Sequence, residues 1–499
     1  MRTTTVILTL VASLALPTFA DDLPARPEKI DFAALRFEPP KPGEYRHVLS
    51  NGVPVYLMPS KEFPLVNIAM TFKGGDNLDP ADIVGLADAT GAMMRRGGTT
   101  TMKPEQFDER VDFLAAIINA SSGESTSSAS LNCLSSNLDE SMKLFIDMLR
   151  NPGFDAKKLE VWKGEAIEGM KQRNDDAGPI LDREWKALLY GRDHFEAREM
   201  TKASLDRITP AEMAKMHDRI FNPGNVIVAV TGDFETSDML NRLEKALGTP
   251  SGWAKGEPVA DPAAPTATFK PGVYHVEKDI PQGKVFIGLR GVKRDDPDYF
   301  PLLLLNDILG GGGFTSRITK RVRSDEGLAY SAGSRFSPEV WYPGEWRAVF
   351  QSKNPTVALA TKIIMEEIDR VRAQPVTDEE LQTSIAQYIE TFPRTFESKA
   401  GTLNVFANDE WTKRPADYWQ TYRDRIKGVT KADVERVAQK YLDPKNMAIF
   451  VVGKWDEIYN GDMEGRAKMS EFFGGEVQHL PLRDPLTQEP LSPQAAGAK

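Results

Sequence analysis

Metal-binding side chains are scarce in this chain. Among 499 residues there is one cysteine, Cys133, and five histidines: His47, His194, His217, His275 and His479. A single cysteine excludes an intramolecular disulfide and any cysteine-based metal site. No two histidines stand three or four residues apart, so none pair on one helical face as metal ligands. An excess of positive charge is also missing. Lys and Arg total 62 against 72 Asp and Glu, a net charge of -10, and a phosphate backbone would meet a repelling surface. No Gly-x-Ser-x-Gly elbow occurs, which removes support for a serine hydrolase. Gly310–Gly313 lacks the Lys-Ser or Lys-Thr of a phosphate loop and follows an apolar helical stretch rather than a strand. It reads as a turn that seats the next helix. Beyond the N-terminus no apolar run is long enough to cross a bilayer, so no stable membrane insertion is expected.

What is present begins with an export signal. Arg2 precedes the apolar run Val6–Leu16, and Ala20 offers a small residue before Asp21 and Asp22. Residues 1–20 therefore read as a signal peptide, and a periplasmic location is expected. Residues 21–44, with Pro39-Pro40 and Pro42, read as an extended arm.

The rest of the chain is written twice. Ile208-Thr209-Pro210 leads through a helical stretch to Asn222-Pro223-Gly224-Asn225, the apolar run Val226–Val230, and Gly232. Val429-Thr430-Lys431 leads likewise to Asp443-Pro444-Lys445-Asn446, Met447–Val452, and Gly453. Thr209 and Thr430, Asn225 and Asn446, and Gly232 and Gly453 each lie 221 residues apart. In both copies a threonine can cap a helix, an X-Pro step can end it, and an apolar run can follow as a buried strand. Upstream, the helix face Met142, Ile146, Leu149 returns as Ile364, Ile368, Val371 at an offset of 222. Such self-similarity marks a duplicated architecture.

Each half mixes strands and helices. Val48-Leu49 and Val53–Leu57 flank Asn51-Gly52, a hairpin signal. Leu65–Phe72, Val273–Val276 and Lys284–Leu289 read as strands. Phe107, Val111, Leu114 and Ile118 form a helical stripe, with Pro104 in its first turn. Phe300–Leu309 reads as an apolar helix. The expected fold is α+β: two homologous sandwich halves, 45–247 and 273–480, closing as a clamshell. A Pro/Ala/Gly/Thr-rich linker spans 248–272, and a disordered tail covers 481–499.

Three further tags carry a resemblance. They are Gly85-Leu86-Ala87 leading to Gly97-Gly98-Thr99, Leu309-Gly310-Gly311-Gly312 leading to Thr315-Ser316-Arg317, and Gly327-Leu328-Ala329-Tyr330-Ser331. In this order and on a duplicated chain, the sequence resembles the pitrilysin/insulinase family of zinc peptidases. The resemblance implies an H-x-x-E-H helix, in which two histidines share zinc and the glutamate is the general base. Here the aligned stretch reads Asp88-Ala89-Thr90-Gly91-Ala92. Asp88 replaces the first histidine, Gly91 the base and Ala92 the second histidine. Glu168 could be a relic of the downstream glutamate ligand, with Glu165 a neighbouring claimant; both could equally lie on a solvated helix face. Hence no metal is expected in this chain.

The resemblance also implies an arginine and a tyrosine from the second half that act on substrate. They map onto Arg323 and Tyr330, with Arg317 and Arg321 as nearby basic alternatives. Each taken alone also fits a plain structural role, as a helix-end arginine and a half-buried tyrosine. A helix from Phe314 to Arg323 and a strand Leu328–Phe336 would let the two converge. The expected function is that of the non-zinc subunit of a heteromeric metallopeptidase. Arg323 and Tyr330 would complete the site of a homologous zinc-bearing partner that acts on peptides or unfolded protein. The alternative is an inactive structural or peptide-binding pseudopeptidase.

Overall fold

Alternating burial along the strands builds two six-stranded sheets in this computed structural model, which describes residues 37–462 and 464–492. The expected signal peptide and most of the arm lie outside the described residues. In the first sheet β1 is Arg46–Val48, β2 Pro54–Pro59, β3 Leu65–Lys73, β4 Ile117–Ser122, β5 Thr126–Leu134 and β6 Val226–Gly232. Their order is β1-β2-β6-β3-β5-β4. The second sheet holds β7 (Gly272–Glu277), β8 (Gln282–Arg290), β9 (Ala332–Ser337), β10 (Glu345–Lys353), β11 (Ala448–Gly453) and β12 (Val477–Leu480). Its order is β12-β7-β11-β8-β10-β9.

Five strands correspond one to one. β2 runs parallel to β6 as β7 does to β11, and the remaining inner pairs are antiparallel in both sheets. The outer edge differs. β1 reaches β2 through the Asn51-Gly52 hairpin, with Gly52 at φ 90, and pairs antiparallel. β12 comes from the far end of the chain and pairs parallel to β7.

The repeat is visible as matched helix caps. Thr209 Oγ1 accepts from Glu212 N at 3.3 Å and Thr430 Oγ1 from Asp433 N at 3.1 Å. The helices that follow, Pro210–Ile220 and Lys431–Tyr441, have 11 residues each. Helix Leu138–Arg150 has 13 residues and its counterpart Val357–Ala373 has 17. Met142 and Leu149 are buried in the first, and Ile364, Ile368 and Val371 in the second.

Each sheet is covered by its own half on one face and by the other half on the opposite face. Val226, Val228 and Val230 of β6 enter the first core, while Ile227 and Ala229 meet Leu403, Phe406 and Ala407 of helix Lys399–Trp411. Reciprocally, Ile449 and Val451 of β11 enter the second core. Ala448, Phe450 and Val452 meet Ile180, Leu181, Trp185 and Leu189 of helix Ala177–Tyr190. Burial on both faces is why these strands read as unbroken apolar runs. Polar contacts reinforce the exchange: Arg46 forks onto Glu410 at 2.9 and 2.7 Å, Tyr56 Oη donates to Glu410 at 2.5 Å, and Trp185 Nε1 donates to Glu345 at 2.5 Å.

Two stretches read as loose are tied down. Residues 252–271 form neither helix nor strand. Yet Val259 is buried, Gly256 N donates to Asn222 Oδ1 at 3.0 Å, and Asp261 pairs with Lys73 and Lys413. The tail expected to be disordered from 481 is instead described through residue 492 and docked on the first half at residues 482–486. Asn174 Nδ2 donates to Arg483 O at 2.7 Å, Lys202 N to Leu486 O at 2.8 Å, and Arg173 Nη1 to Pro485 O at 3.1 Å. Its polar backbone finds donors on another element, which composition does not reveal. Residues 493–499 lie outside the described residues.

Candidate functional site

The helix Leu86–Arg96 carries the degenerate motif. Its N-terminus is capped from a distance by buried Asp79, which accepts from Gly85 N at 2.7 Å and Ala87 N at 2.8 Å. Those N–H groups partly offset the burial that lifts Asp79 to a pKa of about 6. Asp88 has an exposed edge. Its carboxylate also borders a 140 Å³ cavity shared with Asp76, Ser122, Phe195, Arg198 and Met200. The protein wall strips water from it and raises its pKa. Asp76 beside it is pushed up to about 7, by burial first and then by Asp79, Asp88 and Glu124. Arg198 braces the cluster, donating to the backbone oxygens of Asp79 at 3.0 Å and Asp76 at 2.9 Å.

Gly91 is buried where the helix lies directly on β4. A Cβ at this position would stand 2.5 Å from Ser122 N and 2.6 Å from the Ser121 carbonyl carbon. The glutamate base is therefore not merely replaced: its place is filled by backbone. Ala92 is half-buried against the first core. Glu168 is 67% exposed and pairs with Lys171 at 2.7 Å. Glu165, from the same helix Ala156–Lys171, forks onto Arg96 of the motif helix with both bonds at 2.8 Å. The histidines are engaged elsewhere. His217 Nε2 contacts Leu149 O at 2.8 Å, and His275 meets His479 at 2.9 Å and Gly453 O at 3.0 Å. Among the described residues, no three His, Cys, Asp or Glu are arranged to hold a metal ion. A catalytic zinc does not fit this helix.

The second half presents a different arrangement. The helix expected from Phe314 begins only at Arg317, and Lys320–Asp325 continues it as a wider π-turn. Gly313 turns the chain at φ 63, and Gly310 packs so closely that a Cβ there would meet Ser334 N at 2.5 Å. That crowding delays the helix. The strand expected from Leu328 begins at Ala332, leaving Tyr330 at a bend in the loop after Gly327, whose φ is 61.

Arg323 and Tyr330 are brought together, and Phe314, which the sequence reading did not single out for a role at this site, joins them. The Arg323 guanidinium lies 4.5 Å from the Phe314 ring centroid and 4.7 Å from that of Tyr330. Both rings face solvent, at 67% and 86% exposure, so Tyr330 is not a packing residue. Arg323 has no hydrogen bond or ion pair among the described residues. Its neighbours differ: Arg317 forks onto Glu380 at 2.6 and 2.8 Å, and Arg321 holds buried Glu367 at 3.1 Å. Of the three arginines weighed, Arg323 keeps its N–H fork available. An aromatic just after the glycine run was the one signal for Phe314.

Residues 55–193 match the family pattern described as "Insulinase (Peptidase family M16)", and residues 207–388 match "Peptidase M16 inactive domain". The chain is 23% identical over 409 residues to the Helicobacter pylori protein named "Non-peptidase homolog YmxG", covering 80% of this chain and 91% of that protein. A peptidase M16 inactive domain crystal structure from Pseudomonas fluorescens superposes with a TM-score of 0.72 at 24% identity, over 82% of this chain and 97% of that one. A Helicobacter pylori protease crystal structure gives a TM-score of 0.67 at 19% identity, over 82% and 98%.

Proposed function

Since this chain belongs to the peptidase M16, or pitrilysin/insulinase, family, we propose that it acts as the zinc-less subunit of a two-chain peptidase. The observation that carries the reading is the contrast within the molecule. Backbone occupies the place of the base at Gly91, whereas half-buried Arg323 and exposed Tyr330 have no side-chain hydrogen bond or ion pair among the described residues. A pure scaffold has no need of a cation set against two solvent-facing rings with no carboxylate partner among the described residues.

Under this proposal a homologous chain brings zinc and the base that together activate water. Arg323, held in plane by Phe314 and Tyr330, donates its fork to substrate backbone carbonyls. The Tyr330 hydroxyl donates to the oxygen that gains charge as the peptide carbonyl becomes tetrahedral. Substrates are peptides or unfolded segments, and the pair works in the periplasm.

The test is reconstitution with a homologous zinc-bearing chain. The mature chain alone is expected to show no chelator-sensitive peptide cleavage, and the mixture to show it. Arg323→Ala with Tyr330→Phe is expected to lower turnover of the mixture by about 10²–10³-fold, the usual cost of lost oxyanion donors. Unchanged turnover would remove the clamp role, and chelator-sensitive cleavage by the isolated chain would overturn the whole scheme. A second reading is favoured by the name of the Helicobacter relative, a non-peptidase homolog: a pseudopeptidase that binds peptides and cleaves nothing. Peptide binding without activity in any such mixture would select it.

A further inference from the structure

Tyr330 forms one wall of a second cavity, of 440 Å³, whose lining includes neither Arg323 nor Phe314. Gln282, Ser331, Gln351, Lys353 and Thr356 contribute its polar lining. Gln351 Nε2 donates to Gln282 Oε1 at 3.1 Å, which fixes one wall. Lys353, the last residue of β10, is the only charged side chain in the lining. It is exposed, and its ammonium has no hydrogen bond or ion pair among the described residues. Lysines such as Lys362, Lys413 and Lys431 instead face a carboxylate. A lone ammonium beside unpaired Ser331, in a protein of net charge -10, is matched by an anionic group of modest size. An extended peptide advances about 3.3 Å per residue and turns successive side chains to opposite sides. A residue adjacent to one whose carbonyl is held by Arg323 can therefore drop its side chain past Tyr330.

We infer that the cavity beside Tyr330 is a subsite for a peptide carboxylate, with Lys353 as its specificity-determining residue. This rests on the reading of Arg323 and Tyr330 as the clamp on substrate backbone. The carboxylate is that of an Asp or Glu side chain or of a peptide C-terminus.

The experiment is fluorescence anisotropy with the full mature chain and labelled peptides of one sequence. Three are amidated and carry Glu, Gln or Lys at the central position; a fourth carries Gln and a free C-terminus. The wild-type chain is expected to prefer the Glu or the free-terminus peptide over amidated Gln by about two- to fivefold, the worth of a partly exposed ion pair. The Lys peptide is expected to bind most weakly. Which carboxylate peptide gains identifies the source. Lys353→Met should level the series and Lys353→Glu should invert it; Lys353 is exposed, so neither change removes packing. Equal binding of all four peptides, or a preference untouched by both variants, overturns the subsite. Arg323→Ala separates the two ideas. If it weakens every peptide alike, the clamp stands whatever Lys353 does. If it weakens none while the Lys353 variants still reorder the series, the clamp reading fails and the subsite stands.

Discussion

The two halves share a strand order and differ in what they expose. In the first half the helix that would carry catalytic groups lies on β4, with Gly91 in contact with the Ser121–Ser122 backbone. In the second half the arrangement is outward: the solvent-facing rings of Tyr330 and Phe314 flank half-buried Arg323, which has no hydrogen bond or ion pair among the described residues. The zinc motif is thus lost where space is closed. In the other copy an arginine fork is left without a carboxylate partner among the described residues. A buried site that loses its function is free to pack, and packing then blocks return.

The largest effect should come from the interlock that both halves depend on. Trp185→Ala and Phe406→Ala each remove a buried ring that one half places on the other's sheet. Each is expected to cost about 3–5 kcal/mol, read by denaturant unfolding. If the halves behaved as independent domains, either variant would split calorimetric unfolding into two transitions; one transition, shifted as a whole, is expected. Gly91→Ala tests closure directly. Overpacking against β4 should cost about 1–3 kcal/mol, despite the gain of about 1 kcal/mol in helix propensity. Rebuilding the motif as Asp88→His, Gly91→Glu and Ala92→His should therefore lower stability and still bind no zinc tightly by calorimetric titration. Tight stoichiometric zinc in that triple variant would show that the space is open after all.

The opposite outcome is expected at the exposed stack. Phe314→Ala and Tyr330→Phe should each change stability by no more than about 1 kcal/mol, the scale of exposed cation–π contacts. A larger loss would make the stack a structural feature of the second half.

A further effect concerns pH. Asp76 has a usual value of 3.8 and a folded value of about 7. The folded state therefore holds its proton more tightly than the unfolded chain. That contribution is fully present below about pH 4 and is lost as pH rises through about 7. Asp76→Asn removes the loss, so the variant should gain in melting temperature over the wild type at pH 8, gain less at pH 5 and gain little at pH 4. A gain independent of pH would place the effect elsewhere.

Much of this was legible in residue order. The 221-residue repeat predicted matched helices with threonine caps and a strand ending at Gly232 and again at Gly453, and the structure shows them. These signals are local: a cap, a breaker and an apolar run lie within a few residues. The missing ligands were equally plain, since Asp88, Gly91 and Ala92 can be read one at a time. The stack was half legible. The Gly327–Ser331 tag drew attention to Arg323 and Tyr330, but nothing in the spacing says that Arg323 lacks a carboxylate while Arg317 and Arg321 have one.

What the sequence by itself determined is therefore the duplicated α+β layout and the absence of zinc-binding side chains, because both follow from residue identity and short-range periodicity. Only the tertiary structure decided which half covers which sheet face, that Gly91 is walled in by β4, that residues 482–486 dock on the first half, and that Arg323 has no carboxylate partner among the described residues. Periodicity records that a face is buried, not what buries it; the partner is chosen by contacts between residues hundreds of positions apart.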